Sequence, residues 1–153
     1  MKRGWKLSER KCLIVDIDGV LANNEHRLHF IKGGDKKWDE YNERCSDDAP
    51  IGWSKEIVKR FFHVYEIILV TGRSDDIRIP TTEWLREHEI PYDKLFMRAT
   101  GDFRQDYLVK KEIYFNNIMD EYEPLFVLED RQQVVHMWRE LGLVCLQNVE
   151  GKF

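Results

Sequence analysis

Five short apolar runs, separated by longer amphipathic stretches, leave this chain few folds to adopt. The runs are CLIV (12–15), IILV (67–70), KLFM (94–97), LFVL (125–128) and LVCL (143–146). Between them, residues 51–63, 77–88, 106–119 and 131–141 repeat apolar side chains at helical spacing, as Ile51, Ile57, Val58, Phe61 and Phe62 do in the first. A run without polar alternation suits a strand buried on both faces, with the intervening helices as cover. Right-handed crossovers then give an α/β fold, a three-layer doubly wound parallel sheet. At 153 residues the pattern reads as a single domain spanning 1–153. Such a chain buries roughly 70% of its unfolded surface and needs no cross-links. Residues 24–49 break the alternation: they hold Trp38 and Tyr41, a polar break from Lys32 to Lys37, and no clear strand. They are expected to form two short helices, a small cap inserted above the carboxyl ends of the strands. The plain alternative is a surface insertion without function.

Composition removes several classes of function. A net charge of −4 excludes a strong non-specific polyanion binder, so any nucleic-acid contact has to be local. Cys12, Cys45 and Cys145 are scattered and odd in number, without metal-ligand spacing. That usage fits reduced thiols in a cytoplasmic protein. No apolar stretch approaches the ~20 residues of a membrane span, and Met1 to Arg10 is too polar for a signal peptide. No internal repeat or low-complexity segment is present.

The chemistry gathers where the apolar runs end. LIVDIDG closes on Asp16 and Asp18, and side chains two apart on a strand point the same way. Gly19 permits a sharp exit. Two like charges at that distance repel, and a hard divalent cation such as Mg²⁺ relieves the conflict. Two solvated acids in a turn would be the plain reading. IILVTGR ends in a hydroxyl, exposed amides and a guanidinium at Thr71, Gly72 and Arg73, which together suit phosphate oxygens. An ordinary strand-to-helix turn would carry the same residues. Asp106 and Lys110 are four apart on a helix, the spacing of an exposed ion pair. In LEDR, Asp130 is placed to cap the following helix, with Gln133 as reciprocal partner.

Taken in order, DIDG, TGR, the helical lysine and ED resemble the four motifs of the haloacid dehalogenase superfamily, over nearly the whole chain from Lys11 onward. The stretches RATGDFRQDYLVKKEIYF and LEDRQQVVHMWRELGLVCLQ are similar to the phosphatase domain of bacteriophage polynucleotide kinase/phosphatase. The resemblance implies a Rossmann-like phosphatase fold and a set of roles. Asp16 would attack the phosphorus. Asp18 would protonate the leaving alcohol and later activate water, its proton favoured by repulsion from Asp16. Thr71 and Lys110 would bind the transferring phosphoryl group. Asp16, the Asp18 carbonyl and Asp130 would hold Mg²⁺, with Glu129 a further candidate. Arg27, Gly72, Arg73 and Arg98 would surround the substrate phosphate. Glu129 stands where the phage domain has a second aspartate, and Val20 replaces a frequent threonine. No GxxxxGK[ST] is present, so this chain carries no P-loop kinase domain.

The reading expected from these residues is a Mg²⁺-dependent phosphomonoesterase that removes 3′-phosphates from nucleic-acid ends. Arg27, Lys32, Lys36, Lys37, Trp38 and Tyr41 would supply phosphate contacts and stacking in the cap. A nucleotidase or other small-molecule phosphatase is the alternative, and a non-catalytic end-binding module is a third.

Overall fold

The structure, a computed structural model, describes residues 10–151. The remaining residues of the expected single domain, and nearly all of the segment read as too polar for a signal peptide, lie outside that range. Five strands form one parallel sheet: β1 (Lys11–Val15), β4 (Glu66–Ser74), β5 (Lys94–Arg98), β6 (Glu123–Arg131) and β7 (Cys145–Gly151), in the order β5-β4-β1-β6-β7. The central strand explains its own composition. Cys12, Leu13, Ile14 and Val15 are all at most 1% exposed, because β1 is flanked by β4 and β6 and covered on both faces.

Alternate residues of the strands serve two separate cores. Ile14, Val70 and Val127 pack against Tyr114, Val134 and Trp138 of α4 (Asp106–Asn117) and α5 (Gln132–Glu140). Leu13, Leu69 and Leu128 pack on the other face against Val58, Trp84 and Leu85 of α2 (Gly52–Phe61) and α3 (Arg78–Glu87). This is the expected three-layer α/β arrangement. Trp84 and Trp138 are buried almost completely, one in each core. Each removes about 150–250 Å² from water, roughly 4–6 kcal/mol before entropy, so truncating either to alanine is expected to cost about 3–5 kcal/mol.

Three boundaries differ from the sequence pattern. Strand β4 runs on through Thr71, Gly72 and Arg73 to Ser74, so TGR is strand rather than turn, and the ladder to β5 shifts register between Thr71 and Ser74. Strand β7 begins two residues late. Leu143 belongs instead to the turn closing α5, where its N–H bonds the Trp138 carbonyl just after Gly142 adopts φ 83°. The insertion holds more than two short helices. A two-residue antiparallel hairpin of β2 (Ala22–Asn23) and β3 (Ala49–Pro50) frames a 3-10 helix at Glu25–Phe30, α1 (Trp38–Glu43) and a 3-10 turn at Cys45–Asp47. Among the described residues no helix is long and apolar enough to cross a membrane.

Candidate active site

Because all five sheet strands run parallel, their carboxyl ends lie along one edge, and the chain leaves β1 for β4 on one side and reaches β6 on the other. Ligands of such sheets bind at that switch point. Asp16 follows β1, its N–H anchored on the Leu128 carbonyl at 3.1 Å. The chain then folds over the Ile17 carbonyl, which accepts from the N–H groups of Val20, Leu21 and Ala22. Gly19 sits in this loop at φ 78°, and a Cβ there would lie 2.1 Å from Asp130 Oδ2. Both the backbone conformation and the carboxylate beside it demand glycine.

Asp16, Glu129 and Asp130 are buried, and one carboxylate oxygen from each lies within 4.8 Å of the others. Lys110, 1% exposed on α4, reaches into the group: its Nζ is 3.0 Å from Asp16 Oδ1, 2.9 Å from Glu129 Oε2 and 3.4 Å from Asp106 Oδ2. The Asp106–Lys110 pair is therefore not the exposed helix pair its spacing implied, because this face of α4 turns onto the sheet edge. One ammonium does not offset so many acids. Burial, then the charge of Glu129, raises Asp16 well above the carboxylate range, Lys110 opposing. Burial and Asp16 push Asp130 up to about 7. Burial works against the Lys110 ammonium, but Asp106, Asp16 and Glu129 outweigh it and raise its pKa. Such an all-oxygen, over-acidic donor set fits a hard divalent cation, which offsets the burial and mutual repulsion that raise these acids.

Asp18 belongs to a different charge group. Its Oδ1 accepts from Arg27 Nη2 at 2.6 Å and from Arg73 Nη2 at 2.7 Å, and Arg73 Nε lies 3.1 and 3.2 Å from its two oxygens. Both arginines also bond Asp48, which is wholly buried: Arg27 Nε and Nη2 at 2.7 and 2.5 Å, Arg73 Nη2 at 3.1 Å. The Tyr41 ring lies under the Arg27 guanidinium, 4.0 Å from centroid to Cζ. Burial raises the Asp18 carboxyl, but Arg73 and Arg27 more than reverse it and hold it at about 2. The expectation that repulsion from Asp16 keeps a proton on Asp18 fails in this arrangement, because two guanidinium groups, not a carboxylate, are the nearest charges.

The remaining candidates are placed as follows. Thr71 is fully buried, its Oγ1 accepting from the Arg73 N–H at 3.2 Å. Gly72 packs under Asp106, where a Cβ would meet Oδ1 at 2.3 Å. Arg98 donates to the Gly72, Asp102 and Arg104 carbonyls and to Asp106, so it braces the 99–105 loop rather than bonding Asp18 or Asp48 as Arg27 and Arg73 do. Asp130 does not cap α5. The cap position is Arg131, with no side-chain cap bond to Gln133 or any other residue, and Asp130 stays within β6 and faces the site. Glu129 folds back to accept from the N–H groups of Asp130 and Arg131 as well as from Lys110. The sequence reading missed Asp48, which no local spacing marks, and underrated Asp106, for which the i, i+4 lysine was the available signal.

Comparison with known proteins agrees with this geometry. A family profile described as the polynucleotide kinase PNKP phosphatase domain matches residues 10–153. A protein of Autographa californica nuclear polyhedrosis virus, described as a bifunctional polynucleotide kinase/RNA ligase, is 29% identical over 142 residues, 91% of this chain and 19% of its own length. A chain in the solved Pnkp1/Rnl/Hen1 complex is 34% identical with a TM-score of 0.84, over 97% of this chain and 48% of that one. A haloacid dehalogenase-like hydrolase from Streptococcus pneumoniae shares the fold, with a TM-score of 0.64 at 11% identity over 90% of this chain and 84% of its own. The chain thus spans about a fifth to a half of its relatives of higher identity. With a parallel sheet that gathers Asp16, Lys110 and Asp130 at one edge, and a profile match over nearly its whole length, the chain belongs to the PNKP phosphatase domain family, phosphoric monoester hydrolases of haloacid dehalogenase type.

Proposed function

We propose that this protein removes 3′-phosphates from nucleic-acid ends through an aspartyl-phosphate on Asp16, with Mg²⁺ as its metal. The observation that carries the reading is the placement of Asp16 beside the Lys110 ammonium and two further buried carboxylates. A carboxylate so held is aligned, and a cation next to it offsets charge on the transferring phosphoryl oxygens. Asp16, Glu129 and Asp130, with the Asp18 carbonyl, would hold Mg²⁺, which when bound keeps the carboxylates ionised and offsets phosphoryl charge.

In the first half, an Asp16 oxygen attacks phosphorus, the bond from phosphorus to the ester oxygen breaks, and the departing oxygen takes a proton from Asp18. In the second, water attacks the aspartyl-phosphate, gives its proton to Asp18, and releases phosphate and the Asp16 carboxylate. The second half needs Asp18 ionised, as its arginine contacts leave it. The first half needs it protonated. An incoming phosphate competes for Arg27 and Arg73 and so weakens their hold on that carboxylate. Thr71 and Lys110 hold the equatorial oxygens, while Gly72 and Arg98 shape the wall beside them. Three buried free thiols accord with a reducing, cytoplasmic setting.

The test is phosphate release with Mg²⁺ from 3′-phosphorylated, 5′-phosphorylated and mononucleotide substrates side by side. The expected result is a clear kcat/KM preference for the 3′-phosphorylated oligonucleotide, abolished in Asp16→Asn. A preference for mononucleotides assigns a nucleotidase instead, and unchanged turnover of an aryl phosphate by Asp16→Asn removes Asp16 as nucleophile.

A further inference from the structure

A cavity of about 250 Å³ opens beside the reactive centre, lined by Leu28, Ile31, Lys32, Gly33, Lys36 and Arg131. Its walls come from two separate parts of the fold. The insertion supplies five of the six residues, and the end of β6 supplies Arg131, the residue after Asp130. Arg131 also ties the cavity to the centre: its Nη1 lies 3.6 Å from Asp106 Oδ2, which in turn faces Lys110. Three of the lining residues are cations and none is an acid, in a chain of net charge −4. Leu28 and Ile31 add an apolar side. At the rim, Lys36 Nζ is 5.7 Å from the centroid of the Trp38 ring. Trp38 stays 42% exposed and meets Tyr41 edge-on at 5.8 Å, the same Tyr41 that underlies Arg27.

We propose that this cavity is the subsite for the nucleotide next to the phosphorylated one, with Lys32 and Lys36 on its phosphodiester and Leu28, Ile31 and the Trp38 rim against its sugar and base. The proposal rests on the 3′-phosphatase reading and deepens it: the substrate is an oligonucleotide of at least two nucleotides. Local concentration of positive charge on an acidic protein selects a polyanion where a neutral alcohol would not. The volume falls just below the ~300–1,000 Å³ of self-sufficient small-molecule sites, as suits one unit of a longer ligand. An exposed ring adjoining a phosphate-binding lysine is the pairing by which single strands are held without sequence preference.

The test is binding to the Asp16→Asn protein, measured by fluorescence anisotropy with a labelled 3′-phosphorylated tetranucleotide and by competition with a 3′-mononucleotide. The tetranucleotide is expected to bind more tightly. Lys32→Ala/Lys36→Ala is expected to shrink that advantage roughly tenfold and to reduce the slope of log Kd against log salt by about 0.7, the value for one phosphate, for the tetranucleotide alone. Equal affinity for both ligands overturns the subsite, as does a double variant that weakens both ligands alike or leaves the salt slope intact. The phosphatase reading is judged separately by phosphate release from the same two substrates. Selective binding without 3′-phosphate turnover sinks that reading and keeps the subsite. Faster turnover of the 3′-phosphorylated tetranucleotide by the unaltered protein without selective binding does the reverse.

Discussion

Asp48 is the residue whose replacement tests the site's electrostatics most directly. Its carboxylate lies among Arg27, Arg73 and His26, fully enclosed, and its backbone carbonyl accepts from Trp84 Nε1 at 2.8 Å. With Asp18 it balances the two arginines, two anions against two cations, and both guanidinium groups are at most 1% exposed. Asp48→Asn keeps the shape and removes the charge. One buried positive charge is then uncompensated, and an amide N–H₂ must face a guanidinium that has only protons to offer. Breaking a buried pair by removing one partner costs about 3–5 kcal/mol, out of the 5–15 kcal/mol that holds a domain together. At about 2–4 °C per kcal/mol for a chain of this length, the melting temperature should fall by roughly 6–20 °C. Arg27 and Arg73 lose their common anchor, and kcat/KM for p-nitrophenyl phosphate should fall on the order of 100-fold at a temperature where the variant is still folded. The assays are thermal melting by circular dichroism and initial rates. A variant melting within about 2 °C of the parent would refute the claim that this buried quartet is held by charge balance.

Three further outcomes follow from the same geometry. Lys110→Met should lower kcat on the aryl phosphate by at least ~100-fold, the usual effect of losing one group aimed at the transferring oxygens, with a smaller change in KM; a loss confined to KM contradicts the role. Gly19→Ala places a methyl group against Asp130 Oδ2 and forces a left-handed backbone that costs about 1–2 kcal/mol, so Mg²⁺ titrations of activity should show a weaker half-saturation, and an unchanged one contradicts the Asp130 assignment. The pH dependence of stability in EDTA tests the acid group as a whole. Asp130 is raised from near 4 unfolded to about 7 folded, with Asp16 and Glu129 raised too. Groups whose folded pKa is raised stabilise below their unfolded pKa, and that contribution is lost as pH rises through the folded value. The unfolding free energy from urea titrations without metal should therefore fall between about pH 4 and pH 8, by on the order of 4 kcal/mol for Asp130, and Mg²⁺ should restore more at pH 8 than at pH 5; a flat or rising metal-free profile contradicts the burial of these acids.

What could be read from the sequence follows a physical divide. Asp16, Thr71 and Asp130 sit at the ends of apolar runs, and the parallel βα pattern alone implies that such ends share an edge. Lys110 needed the helix and the family motif order together. Asp106 was visible as the residue four before Lys110, but periodicity does not say whether a helix face meets solvent or a sheet edge. Asp48 was illegible for another reason. Its partners are 21 and 25 residues away along the chain, and the second of two neighbouring acids in CSDDA carries no spacing that predicts burial. The cap that was the alternative for Asp130 does not form because β6 continues to Arg131, a backbone choice made by its pairing with β7 rather than by local propensity.

The divide also explains why two acids one residue apart are tolerated at the mouth of a buried strand. Strand geometry by itself would aim Asp16 and Asp18 into one space. Extended structure ends at Val15, however, and the turn over the Ile17 carbonyl hands Asp18 to the insertion while Asp16 stays with the sheet. Each carboxylate then has its own counter-charge: Lys110 from α4 for one, Arg27 and Arg73 for the other. Arg27 comes from the inserted segment and Arg73 from β4, and Asp48, at the far end of the insertion, locks them together. The insertion is therefore bound to the chemistry through charge balance, because without it Asp18 would lose one of its two cations and Arg73 would lose Asp48. That dependence distinguishes it from a surface loop whose sequence could drift without consequence for the aspartates below it.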